Sequence, residues 1–149
     1  MEVIRVKLGF TGKLVVDSVG RSGVLYFMWK NLIDVSLLSY SRFHIDVKMV
    51  SQRDVSWRWT CFYGNPKASQ RPHGWTLLRR FCSISYLPWV CVRDFNEILC
   101  SEEKLGGSLR PQAQIEEFPA AIDDCGLQDM GFRSPRSPRC NKRECANMV

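Results

Sequence analysis

The sequence predicts one layered domain of the α/β or α+β class, and two observations lead to this prediction. Residues 14–64 contain successive apolar runs, alternating or continuous, separated by turn signals, which is typical of β-strands. After Gly64 the spacing of apolar residues becomes helical, with one further strand between two helices. This order of elements favours sheets covered by helices. The 149 residues, 45% of them hydrophobic, suffice for one such domain and exclude a chain that is disordered throughout.

Four strands are predicted before Gly64, over residues 23–29, 35–40, 43–50 and 55–63. The first is continuously apolar, which predicts a strand buried on both faces. In the third, Ile45 and Val47 share one face whereas His44 and Asp46 share the other. We therefore predict a half-buried strand whose His44 faces solvent. The fourth strand also alternates, and it ends at Gly64.

Two helices and one strand are predicted after Gly64: helices over residues 69–83 and 112–124, and a short buried strand over residues 89–92. A loop is expected over residues 101–111. Pro119 lies inside the second helix and should kink it or shift its start, because proline lacks a backbone donor. Gly126 resembles the glycine that commonly follows the end of a helix.

The net charge of +6 comes largely from the last residues of the chain. Residues 133–149 contain five of the 21 basic residues and one of the 15 acidic residues. These residues include prolines and serines, and their apolar residues show no periodic spacing. This composition predicts a disordered tail. Residues 1–132, which we assign to the folded domain, are nearly neutral. Charge by itself therefore gives only weak support for a nucleic-acid partner.

The seven cysteines predict reduced thiols in an intracellular compartment. None belongs to a C-x-x-C pair, and neither His44 nor His73 stands at zinc-ligand spacing from one. Several lie among apolar residues, where a thiol behaves as a small hydrophobic group. The first residues contain no uninterrupted apolar segment, so we expect no secretory signal. The longest apolar run, residues 24–29, is too short to cross a bilayer, so no membrane partner is expected. Residues 20–23 lack the ending of a phosphate-binding loop, and no small-molecule cofactor is expected.

The segment most suited to chemistry follows the predicted strand at residues 89–92. Asp94 and Asn96 stand two residues apart, so strand periodicity predicts that their side chains share one side while Phe95 points into the core. A carboxylate can orient or deprotonate a water, and a neutral amide can hold a phosphoryl oxygen. The alternative is a turn or cap, since Asp and Asn are favoured there on their own account.

The order and spacing of several segments resemble the endonuclease/exonuclease/phosphatase domain of plant LINE-type retrotransposons, which lack long terminal repeats. The resemblance extends from about residue 9 to residue 132 and includes Asp94-Phe95-Asn96-Glu97. The matching segments are residues 9–12, 16–23, 57–64, 77–80, 87–89, 94–99, 103–107 and 125–132.

This resemblance implies a magnesium-dependent nuclease fold, with two mainly antiparallel β-sheets packed face to face and helices outside. Asp94 and Asn96 match the family's central catalytic pair, and Tyr63 matches its active-site tyrosine, whose phenol can donate to a phosphate oxygen. The alternative for Tyr63 is a sheet-edge aromatic residue, because it alternates with Trp57 and Trp59. The resemblance also implies a DNA partner and a nuclear location.

The sequence departs from the family pattern at three places. Arg93 replaces the glycine that usually precedes the aspartate; Arg93 and Lys104 are weak candidates for nucleic-acid contacts. The family's metal-binding glutamate belongs on a strand before residue 9. The glutamate found there is Glu2, and the residues around it do not match the family pattern. The family's C-terminal aspartate and histidine, which supply the catalytic base or its partner, belong beyond Phe132. The sequence there does not match the family pattern. Magnesium needs several oxygen ligands, so we expect no intact metal site and an incomplete sandwich, truncated at both ends.

Three hypotheses of function follow. The first is a fragment of a retrotransposon-derived, magnesium-dependent DNA endonuclease that is inactive as it stands. The second is a non-catalytic remnant with at most weak nucleic-acid binding, to which the arginine-rich tail contributes non-specifically. The third, a phosphatase-type member of the same fold, is the weakest, because the ordered segments are those of plant retroelements.

Overall fold

The secondary structure is defined by a computed structural model that describes residues 1–17, 24–97 and 112–131. The strands are β1 (Gly12–Val16), β2 (Leu25–Trp29), β3 (Ile33–Ser41), β4 (His44–Ser51), β5 (Ser56–Tyr63) and β6 (Trp89–Asp94). The helices are α1 (Glu2–Lys7), α2 (Arg71–Ser83, after a 3-10 turn at Ala68–Gln70) and α3 (Gln112–Asp124). The predicted strands and helices that fall on described residues are confirmed, with shifted ends.

The strands form two sheets, and with the helices they make an α+β fold, as predicted. β1 and β2 pair antiparallel in one sheet. The other sheet has the order β3-β4-β5-β6, in which the first three strands are antiparallel neighbours and β6 joins β5 in parallel. The chain divides into two compact units. The first contains Met1–Asn65 and Tyr86–Phe95, and the second contains the two described helices after β5 together with Asn96 and Glu97.

The core of the first unit lies between the two sheets. Phe27 of β2 packs with Ile45, Val47 and Met49 of β4, all of which are buried. Further apolar residues of both sheets pack against them, namely Leu14, Val16, Leu25, Trp29, Ile33, Val35, Trp57, Trp59 and Cys61. The face-to-face packing of the two sheets therefore follows from the inward residues of alternating strands, as in other sandwiches.

The polar face of β4 is also buried, so the prediction of a half-buried strand with a solvent-facing His44 is wrong. His44 is 6% exposed, and Asp46 is fully buried. The hydroxyls of Ser39 and Ser41 lie 3.0 Å and 2.8 Å from the two ring nitrogens of His44. Burial lowers the pKa of His44. Alternation shows that the two faces of a strand differ, but polar groups with partners can cover a buried face.

Charged and polar side chains complete this buried face. Arg58 of β5 forms a two-pronged ion pair with Asp46, with Nε–Oδ1 and Nη2–Oδ2 distances of 2.8 Å and 2.7 Å. The Thr60 hydroxyl donates to Asp46 Oδ1 at 2.7 Å, and the Trp89 indole N–H donates to the Thr60 oxygen at 2.8 Å. We call Asp46, Arg58, Thr60 and Trp89 the buried polar network; it links β4, β5 and β6.

Two apolar strands are less buried than their sequences suggest. In β2, Phe27 is buried but Tyr26 is 36% exposed. The prediction that this strand is buried on both faces is therefore wrong. In β6, Val92 is 45% exposed. Tyr26 pairs with Val15 on the side of the two-stranded sheet that faces away from Phe27, and Val15 is also exposed.

In the second unit, α2 and α3 pack through aromatic rings. Trp75 and Phe118 are buried, with ring centroids 4.8 Å apart. Pro119 lies inside α3, whose bounds agree with the predicted helix over residues 112–124, so its start is not shifted. Gly126 has a φ of +60°. Its N–H donates to the carbonyl of Asp123, and the Leu127 N–H donates to that of Ile122. This is a Schellman cap, and it confirms the interpretation of Gly126 as a helix-ending glycine.

Several predictions fall on parts of the chain outside the described residues. They are the loop at 101–111, the tail at 133–149, the turn at 20–23 and Lys104. Within the described ranges, none of the helices has the length and apolar character needed to span a membrane.

Candidate active site

The parallel pairing of β5 with β6 places Tyr63 beside Asp94. The two residues are register partners, and each is the last residue of its strand. Parallel strands end at the same edge of a sheet, so a phenol and a carboxylate are brought to neighbouring positions there. Asp94 is exposed, whereas Tyr63 is half-buried. Two of the three residues predicted to be catalytic are therefore adjacent in the fold.

Gly64 allows the two backbones to approach each other just beyond these strand ends. Its N–H donates to the carbonyl of Asp94 at 2.8 Å, which extends the parallel ladder by one bond. A Cβ atom at this position would overlap the carbonyl of Phe95. No residue with a side chain fits without displacing that backbone. Gly64 therefore fixes the distance between the ends of β5 and β6.

Phe95 and Asn96 follow the end of β6 with different roles. The Phe95 ring packs against the buried Phe62, with ring centroids 6.1 Å apart, and Phe95 itself is half-buried. Asn96 has a φ of +50°, a left-handed conformation that Asn tolerates better than most residues. Because the strand ends at Asp94, its alternation does not extend to Asn96. The side chains of Asp94 and Asn96 were placed on one side because side chains repeat every two residues along a strand. That reason is therefore wrong.

Asn96 and Glu97 belong to the second unit, where Glu97 forms a buried ion pair. Arg71 Nη1 lies 2.8 Å from Glu97 Oε2, and these side chains are 10% and 2% exposed. Arg71 Nη2 also donates to the carbonyl of Pro66 at 3.2 Å. The pair ties the residue next to Asn96 to the first turn of α2. The local sequence does not predict this pair, although Glu97 stands in the segment Asp94-Phe95-Asn96-Glu97.

The buried polar network supports the candidate site from within the sheet. The Trp89 indole at the start of β6 bonds to Thr60 of β5, and the Arg58 guanidinium lies 5.5 Å from the centre of the Trp89 ring. These contacts join the two strands that end at Tyr63 and Asp94. Alternation along β4 and β5 could have signalled the network, because Asp46 and Arg58 both fall on the less apolar face.

Arg93 and Lys104, the weak candidates for nucleic-acid contacts, receive no further support. Arg93 lies in β6 and pairs with Phe62 in the register, but its side chain is outside the described part of the structure. Lys104 lies outside the described residues.

Glu2 is held by basic neighbours in a short helix, whereas the matching family glutamate belongs on a strand. Its carboxylate contacts Arg5 at 2.8 Å and Lys13 of β1 at 2.9 Å. Hydrogen bonds from these two side chains lower the pKa of Glu2 to about 2. In the part of the chain that the structure describes, no three His, Cys, Asp or Glu side chains are grouped so that they can hold a metal ion.

Comparison with known proteins does not assign the chain to a family. No family model matches it, and no curated protein matches it in sequence.

Proposed function

We propose that this chain carries the central part of a retrotransposon-type, magnesium-dependent DNA endonuclease domain and does not hydrolyse DNA efficiently by itself. The observation that supports the proposal most is the parallel β5–β6 pair, which ends in Tyr63 and Asp94 at adjacent positions. A carboxylate beside a phenol at one sheet edge is an arrangement suited to binding a phosphodiester and orienting a water towards it. The order of the matching segments supplies the remaining support.

Each residue has a distinct task in such a site. The Asp94 carboxylate accepts a proton from water or orients it, and the Tyr63 hydroxyl donates to a phosphate oxygen. By the resemblance, Asn96 matches the amide of the family's catalytic pair, which can donate to a phosphate oxygen without adding charge. In a complete domain of this type, magnesium would neutralise phosphate charge and position the attacking water, and Asp94 would be the carboxylate that this chain contributes.

The donor set does not fit magnesium, which is why we expect negligible hydrolysis. Magnesium prefers near-octahedral oxygen coordination and is usually held by more than one oxygen-bearing group. Asp94 is the single carboxylate at the matched catalytic positions. Glu2 already bonds to Arg5 and Lys13 and stands in a helix. We therefore assign no step of the reaction to a bound metal in this chain.

The test is nicking of supercoiled plasmid by the purified chain in the presence of magnesium. We expect the wild type, Asp94→Ala and Asp34→Ala to give the same background. Asp34 is the matched control, since it is an exposed carboxylate on β3 of the same sheet. Magnesium-dependent nicking that is lost in Asp94→Ala and retained in Asp34→Ala would contradict inactivity and establish a working endonuclease.

The second candidate is a remnant that only binds nucleic acid, and the basic residues of 133–149 favour it. Retention of the same plasmid in a gel, without nicking and weakening steeply with salt, would support this alternative. The third candidate, a phosphatase, would instead release phosphate from small esters. Reading frames for a reverse transcriptase beside the coding sequence would support the retroelement origin, and their absence would weaken it.

A further inference from the structure

Two cysteines lie side by side in the second unit. Cys82 is in the last turn of α2, and Cys125 directly follows the last residue of α3. The Cys82 thiol donates to the carbonyl oxygen of Cys125, with a sulfur–oxygen distance of 3.6 Å. Residues that are 43 positions apart in the sequence are thus brought into contact.

The packing of α2 on α3 holds the two thiols together. Further from the cysteines, the rings of Trp75 and Phe118 lie 4.8 Å apart. Closer to them, Arg79 Nε lies 2.6 Å from Asp124 Oδ2. These contacts follow the same order along both helices, so they restrain sliding of one helix along the other.

The surroundings of the thiols allow reaction with a small molecule. Both cysteines are half-buried, so neither is enclosed in the core. Burial first, and then the neighbouring Cys82, raise the pKa of the Cys125 thiol to about 11. Cys125 is therefore protonated at neutral pH and reacts as the second thiol of the pair. The other described cysteines, Cys61 and Cys91, lie in the first unit on strands β5 and β6.

We propose that Cys82 and Cys125 form a dithiol site that small-molecule disulfides of the glutathione type oxidise to an intramolecular disulfide. The product joins the end of α2 to the end of α3. The site is independent of the candidate nuclease residues, all of which lie elsewhere in the sequence.

The reaction proceeds by two exchanges. The Cys82 thiolate attacks one sulfur of the reagent, and the sulfur–sulfur bond of the reagent breaks to release one small thiol. The Cys125 thiol then loses its proton to water and attacks the Cys82 sulfur, which releases the second small thiol. Two protein thiols are oxidised, and one reagent disulfide is reduced to two thiols. Because Cys125 must first lose its proton, the mixed disulfide at Cys82 should resolve faster as the pH rises from 7 to 9.

Peptide mapping of the oxidised full chain tests the proposal. The reduced protein is treated with glutathione disulfide, remaining thiols are blocked, and the protein is digested with trypsin without reduction. Cleavage after Arg80, Arg93, Lys104 and Arg133 gives peptides 81–93 and 105–133, which contain Cys82 and Cys125. We expect these two peptides to be linked in the main product, with the Tm of the oxidised protein higher by about 5 °C.

Cys91→Ser is the matched control, because Cys91 is the other cysteine of peptide 81–93. The link should persist in Cys91→Ser and disappear in Cys82→Ser and in Cys125→Ser. A predominant link between other cysteines, a random mixture of links in the folded wild type, or stable glutathione adducts on both thiols would overturn the proposal. An oxidised Cys91→Ser protein whose Tm is not raised would overturn the stabilising link between α2 and α3.

Discussion

A methyl group at position 64 would overlap the carbonyl of Phe95, because the ends of β5 and β6 approach each other closely there. We expect Gly64→Ala to lower the free energy of unfolding by about 2 kcal/mol, since the backbone must shift to relieve the overlap. It should also move the amide signals of Asp94 and Phe95 in an NMR spectrum.

Gly131→Ala serves as the control for this prediction. Gly131 has a left-handed φ of +76°, but among the described residues an added Cβ would meet no neighbour within 4 Å. Its substitution should cost about 1–2 kcal/mol through backbone strain alone. It should leave the amide signals of Asp94 and Phe95 in place. Unchanged signals of these two residues in Gly64→Ala would contradict the close approach.

The identities of the candidate catalytic residues could be proposed from the sequence, but not their arrangement. Tyr63 and Asp94 were suggested by their matched segments, whereas their adjacency depends on which strands pair, and no local pattern encodes that. The left-handed backbone of Asn96 was missed because alternation was extended beyond the end of the strand. The Arg71–Glu97 pair was missed because the two residues lie 26 positions apart.

At the scale of elements, β4, β5 and β6 are joined by the buried polar network. We expect Arg58→Met to lower the free energy of unfolding by about 3–5 kcal/mol, because it leaves the Asp46 carboxylate buried without its ionic partner. The double variant Arg58→Met/Asp46→Leu should be less destabilised than Arg58→Met, since it removes both charges. Urea denaturation of the three proteins measures these differences.

The exposed ion pair of Arg79 and Asp124 provides the comparison for the network. Their side chains are 40% and 56% exposed, so Arg79→Met should cost no more than about 1 kcal/mol. If Arg58→Met lowered the free energy of unfolding by as little as Arg79→Met does, the buried pair would not hold the strands together.

Elements were predictable where local chemistry determines them. The helix at 112–124 agrees with the observed bounds, and Gly126 was identified from its position alone because a left-handed residue after a helix favours glycine. The faces of β4 were not predictable in the same way. Whether His44 and Asp46 meet water depends on partners such as Arg58 and Ser41, which come from other strands.

At the scale of the whole molecule, β3 is an outer strand of the described four-stranded sheet and has exposed apolar side chains. Leu37, Leu38 and Tyr40 are 44%, 49% and 65% exposed. An outer strand with unpaired backbone groups and apolar side chains promotes association with other chains. We expect self-association that increases with concentration and is reduced by Tyr40→Lys, as measured by light scattering.

Ile84→Lys is the control for self-association. Ile84 is 63% exposed, but it follows α2 and lies outside both sheets. The added charge should therefore reduce association much less than it does at Tyr40. A monodisperse wild type with a sharp, reversible melt would contradict the expected association.

The parallel pairing of β6 also has a consequence for the lifetime of the site. β3, β4 and β5 follow one another through short turns, whereas β6 reaches β5 only after the chain has passed through residues 64–88. Joining strands so distant in sequence costs more chain entropy and slows folding. β6 should therefore dock last and detach first, and each detachment would separate Asp94 from Tyr63 while the three-stranded meander stays intact.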